Sequence, residues 1–241
     1  MHAGRAGLIL GLLVWTALGT TACQTHQADL RLAATHGSGL GPALRDHQDF
    51  TVKRGAEGRS TAVTSILFIP TPWRPSLLTA VERAVENGGG GAALSATVHS
   101  VNWWFGVSVS QLRARVTVAQ IDPSGSPPTG TGEFAALSNE FVRPRDGIDA
   151  QGERVEDVEG VTTTRHYLWV PTQPATPKLE DALADAIDSG VGDLLVDATV
   201  EYTWWTIPFV YGKESWRVTG DSLRSLWVRT GRAESTLGLE P

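Results

Sequence analysis

One cysteine, six histidines and 26 carboxylates are the side chains of this 241-residue chain best suited to chemistry, and their spacing is unpromising for catalysis. The cysteine is Cys23, so an intrachain disulfide and a cysteine-based zinc site are both excluded. No G-x-S-x-G marks a nucleophile elbow. The histidines, His2, His26, His36, His47, His99 and His166, form no H-E-x-x-H and no close pair, so no metal site is expected. The acidic run Asp146, Asp149, Glu153, Glu156, Asp157 and Glu159 has oxygen ligands suited to calcium. It lacks the D-x-D-x-D-G register and reads as a solvated linker face. Gly88 to Gly91 precede no Lys-Ser or Lys-Thr, so they read as a helix stop and not as a phosphate cradle. No catalytic residue and no cofactor are expected.

Cys23 has a different context. An apolar run, Ala6 to Leu18, follows Arg5. At ~1.5 Å per residue its helix is about 20 Å long, short of the ~30 Å hydrocarbon layer. A positive start, a short apolar core and then small residues read as a signal peptide. Thr20-Thr21-Ala22-Cys23 resembles the lipobox of bacterial lipoproteins, with Thr20 standing where that family usually has an aliphatic residue. The resemblance implies that Cys23 is diacylated on sulfur, freed by cleavage, and acylated on its new amino terminus. Gln24, by resemblance to enterobacterial lipoproteins, implies export to the outer membrane. The expected location is the bacterial cell envelope, lipid-anchored, on the periplasmic face.

The chain carries 20 Lys plus Arg against 26 Asp plus Glu, a net charge of −6, with no basic stripe, so nucleic acid is not an expected partner. At 41% hydrophobic and 19% charged it is ordinary globular material.

The positioning elements are read from an internal similarity. The stretch from Ser65, SILFIPTPWRPSLLTAVERAVENGGG, and the stretch from His166, HYLWVPTQPATPKLEDALADAIDSGVG, share Pro-Thr, an Ala-rich helix and a Gly at one offset. Ala96-Thr97-Val98 and Trp103-Trp104 then answer Ala198-Thr199-Val200 and Trp204-Trp205. The fold expected from this is α+β, with two tandem β-β-α-β-β repeats whose antiparallel sheets carry helices on one face. Predicted strands are Phe50–Lys53, Thr61–Ile69 and Leu112–Ile121, then Arg154–Val158, Thr162–Val170, Leu194–Thr203 and Ser215–Asp221. Pro75 and Pro177 open the helices, Thr176 caps the second, and Gly88 and Gly190 close them in left-handed conformation. The segments are 1–22 signal peptide, 23–48 lipidated tether, 49–124 first repeat, 125–150 linker, 151–230 second repeat and 231–241 tail.

The Trp pairs exceed what a plain core needs. Adjacent strand residues point to opposite faces, which puts Trp204 inward and Trp205 outward, with Trp103 the outward counterpart in the first copy and Trp104 its neighbour. All four are candidate interaction residues for a protein partner or the membrane interface. The strand, helix, Gly and LVDATV-like strand also resemble the TRL-like small envelope lipoproteins, through Ser65-Ile66-Leu67, Gly88 or Gly190, and Val196-Asp197. That family's Gly-Asp pair at the start of the helix is absent. The resemblance implies fold and location but no activity. The expected function is a non-enzymatic binding or accessory component of a cell-envelope assembly, held to the membrane by acyl chains on Cys23. The alternative is a hydrolase-like envelope enzyme with an unrecognised site.

Overall fold

The computed structural model describes residues 23–35, 51–66, 69–104, 107–120, 132–139, 153–167, 170–171, 177–207 and 210–224. The strands are β1 (Cys23–Leu30), β2 (Leu32–Thr35), β3 (Thr51–Ile66), β4 (Ile69–Pro70), β5 (Ala92–Trp104), β6 (Val107–Gln120) and β7 (Phe134–Ser138). They continue with β8 (Glu153–Tyr167), β9 (Val170–Pro171), β10 (Leu194–Ile207) and β11 (Tyr211–Arg224). Helices α1 (Leu77–Asn87) and α2 (Leu179–Ser189) follow β4 and β9. One antiparallel sheet has the order β1-β5-β6-β3-β4 and the other β2-β7-β10-β11-β8-β9.

This overturns the expected α+β fold of two β-β-α-β-β repeats. The molecule is mostly β, with 71% of the described residues in strands. The helices form no separate layer, because their buried residues join a single core with inward residues of both sheets. Three local misreadings explain the difference.

First, each predicted pair of short strands is one long strand, β3 or β8. Gly55 and Gly58, in the gap between the two predicted strands, both lie inside β3. Gly55, at φ 76°, lies within an irregularity in the β3–β6 register. A Cβ on Gly58 would stand 2.0 Å from Ala80 O, so glycine is what lets α1 lie against the strand. Gly160 stands to α2 as Gly58 stands to α1, with Ala182 O at 2.0 Å.

Second, the expected tether, 23–48, holds β1 and β2. Third, the expected linker, 125–150, holds β7. β1 lies on one edge of the five-stranded sheet against β5, and β2 crosses to the other sheet to pair with β7.

The helix ends also differ from expectation. Ser76 caps α1 by accepting from Thr79 N at 3.2 Å, and Lys178 precedes α2 without a side-chain cap. Thr176 lies outside the described residues. Gly88 is right-handed at φ −76° and Gly190 is at φ −93°, so neither is a left-handed cap. Both are glycine for want of space: a Cβ would meet Val118 Cγ2 at 2.7 Å and Ser222 Cβ at 2.1 Å. The chain reverses left-handed through Gly89 to Gly91 after α1 and at Val191 after α2. Among the described residues no helix is long and apolar enough to cross a membrane.

Candidate functional site

The two long hairpins, β5–β6 and β10–β11, leave the body at the same end. Ala92 and Leu194, the first residues of β5 and β10, lie in one small apolar cluster with Leu32, Ala34, Ala136 and Leu223. Farther along both strands, Asn102 Nδ2 donates to Tyr202 Oη at 2.8 Å. Strands joined at both points run in the same direction. Register then brings the remaining strand ends to that level, since Ile66 pairs with Val107 and Tyr167 pairs with Tyr211, itself opposite Ile207.

This hairpin end carries the Trp pairs. Trp103, Trp104, Trp204 and Trp205 are all half-buried. Trp204 packs against the core. Trp205 follows on the opposite face, its ring 5.1 Å from Tyr211, which lies 5.1 Å from Tyr167. Trp103 pairs with Val109 and Trp104 with Ser108 at the end of the five-stranded sheet. Around them are large apolar side chains left open to water: Ile69 is 71% exposed, Val210 58%, Tyr167 50% and Ile66 43%. Trp73 is exposed a few residues after β4.

Cys23 belongs to the same end. It opens β1 in register with Asn102, one residue before Trp103. The expectation that 23–48 is a tether is corrected here, because β1 begins at the cysteine itself.

Behind the Trp pairs the two sheets are tied by a buried polar network that sequence reading missed. Gln27 Nε2 donates to Ser100 Oγ at 2.8 Å, and Gln27 Oε1 accepts from Trp216 Nε1 at 2.8 Å. Ser110 Oγ donates to Asn102 Oδ1 at 2.7 Å, and Tyr202 Oη donates to Glu214 Oε1 at 2.8 Å. The Tyr202 and Trp216 rings lie 4.4 Å apart. Burial pushes the Glu214 carboxyl up to about 7, against the bond from Tyr202, which lowers it. Tyr202 is pushed well above its ordinary value by burial and by the neighbouring carboxylate. The Asn102–Tyr202 and Gln27–Trp216 bonds cross between the sheets and the others lie within one sheet, so these groups satisfy one another, which is what buried polar groups require. The signal available in sequence was Glu214, a polar residue on the inward side of the alternating β11.

A second cluster was also missed. β1–β5 pairing sets His26 opposite His99, with ring centroids 5.3 Å apart and edge to face. His26 Nε2 lies 3.4 Å from Asp29 Oδ1, which accepts from Thr97 Oγ1 at 2.9 Å. The expectation of no close histidine pair is corrected here; the two lie far apart in sequence and one fell in the supposed tether. Burial, then the charge of His26, lowers His99 and favours its neutral form. Among the described residues no group of three or more His, Cys, Asp and Glu could hold a metal ion. Of the acidic run, Glu159 pairs with Arg217 at 3.0 Å and the Asp157 N–H donates to Asp221, while Asp146 and Asp149 lie outside the described residues.

A surface depression of about 430 Å³ lies by α1, lined by Glu57, Gly58, Arg59, Arg83, Glu86 and Asn87. Its Arg83 and Asn87 side chains already donate to backbone carbonyls of β3. The Trp pairs and the buried network lie elsewhere. Comparison with protein-family models, with curated proteins and with solved structures finds no match to this chain.

Proposed function

We propose that the protein is a lipid-anchored, non-enzymatic component of a bacterial cell envelope, held by acyl chains on Cys23 and acting as a binding or accessory element of an envelope assembly. The observation that carries the reading is the place of Cys23. The sole cysteine of the chain follows a short apolar run and small residues, and it opens β1 at the end where large apolar side chains are exposed. Several acyl chains on one residue anchor firmly, since each buried methylene contributes ~0.8 kcal/mol and a single chain is marginal. Location on the periplasmic face of the outer membrane rests on the resemblance at Gln24. The non-enzymatic part rests on the buried polar groups of this network being spent on one another, within and between the sheets.

Metabolic labelling with a palmitate analogue, followed by membrane fractionation, tests the anchor. The wild type is expected to take up label and sediment with membranes, and Cys23→Ser to do neither. Undiminished labelling of Cys23→Ser would refute the reading.

A further inference from the structure

We infer that the hairpin end is a membrane-seating surface: it rests in the headgroup layer of the bilayer that holds the anchor, with the long axis of β5 and β10 pointing away from the membrane. The inference rests on the lipid-anchor reading for its geometry, and it adds an occupant for the apolar end.

Four observations carry it. The first is apolar exposure. Ile66, Ile69, Tyr167 and Val210 stand open at strand ends, beside the half-buried Trp205 and Tyr211. Ile66 pairs with Ile69 at the end of one sheet, and the Tyr167, Tyr211 and Trp205 rings touch at the end of the other, and apolar surface of this kind marks an interaction site.

The second is composition. Trp and Tyr are the residues enriched at membrane–water interfaces, where an apolar ring with a polar edge fits the headgroup level.

The third is charge. Among the described residues at the level of the strand ends, in 66–70, 103–108, 165–167 and 204–213, the formally charged side chains are Arg165 and Lys213. Their sign suits anionic headgroups. Glu214, next along β11, is turned inward and buried. The opposite end collects Asp193, Asp197 and Asp221.

The fourth is the anchor itself. Cys23 pairs with Asn102, two residues from the end of β5, so it lies within about 7 Å of the strand end at ~3.3 Å per residue. No length of chain separates the anchor from the fold. Acyl chains entering the bilayer at Cys23 draw down the strand ends beside it, and those ends are apolar.

The full chain is tested on vesicles of phosphatidylethanolamine and phosphatidylglycerol whose acyl chains carry bromine, a contact quencher of Trp emission. The acylated wild type is expected to be quenched. Paired Ile69→Glu and Tyr167→Glu changes, both at exposed positions, should abolish the quenching while Cys23 remains labelled. Val52→Glu with Val191→Glu, exposed at the opposite end, should leave it intact. Non-acylated Cys23→Ser separates the surface from the anchor. It should still bind these vesicles, about tenfold more weakly once the Ile69 and Tyr167 changes are added. Circular dichroism confirms that each variant is folded before it is scored. An acylated wild type that is not quenched, or equal losses from the two paired changes, would overturn the seating surface. Failure of palmitate labelling alone would overturn only the anchor.

Discussion

The two ends of the molecule place their apolar side chains differently. At the end where β5 and β10 begin, Leu32, Leu194 and Leu223 are buried together, and the surface carries ionic contacts such as Arg154 with Asp221 and, at 3.4 Å, with Asp197. At the hairpin end, some 40 Å away along the thirteen residues of β5, the core is a hydrogen-bonded network and the apolar groups stand outside. The end where β5 and β10 begin exposes valines, Val52, Val155 and Val191, beside its ionic contacts, and among the described residues no exposed Trp, Tyr or Ile lies there. The other keeps its polar groups inside and its apolar groups out, as an end finished for a second, apolar phase would.

Leu194→Ala should give the largest change in stability. It empties a fully buried position, at a cost of about 2–5 kcal/mol in denaturant unfolding. A cost under 1 kcal/mol would mean that the far-end cluster contributes little.

Glu214 gives the next effect, and it depends on pH. Its folded carboxyl, at about 7, holds a proton to higher pH than the unfolded chain's ordinary value of 4.5. Its contribution to stability is therefore complete below pH 4.5 and is lost as pH rises through about 7. The loss is on the order of 3 kcal/mol. Glu214→Gln keeps an acceptor for Tyr202 and removes the titration, so its stability should stay flatter over that interval. Parallel pH profiles for wild type and variant would show that Glu214 titrates normally.

Much of the hairpin end was legible in sequence and its reverse side was not. The Trp pairs, the Ala-rich helices and the alternation of β10 are strong local signals, and each Trp pair lies at a strand end. The fold class was misread because the strands were taken too short and β1, β2 and β7 were not seen. Gly58 and Gly160, unremarked in sequence, sit inside long strands and make room for a helix. β1 was missed because Gln27 is polar. Its amide is satisfied by Ser100 and Trp216, on strands that only the tertiary fold brings near, so no apolar period marks the strand. The His26–His99 contact was hidden for the same reason.

Smaller effects sharpen the contrast between the ends. Arg154→Ala removes an exposed ion pair and should cost about 0–1 kcal/mol in low salt, with membrane association unchanged. A larger loss would make the far-end charges structural. Ile69→Thr should alter stability in water by no more than about 0.5 kcal/mol, because its side chain already lies in solvent. A loss of several kcal/mol would place Ile69 in the core and remove it from the seating surface.

The orientation itself is read most directly by spin labels at the two ends of the acylated protein on vesicles, one through Ile69→Cys and one through Val191→Cys. The nitroxide at 69 is expected to collide with bilayer-dissolved oxygen and to be shielded from a water-soluble nickel complex, with the reverse at 191. Equal access of the nickel complex to both positions would contradict an apolar end seated in the membrane.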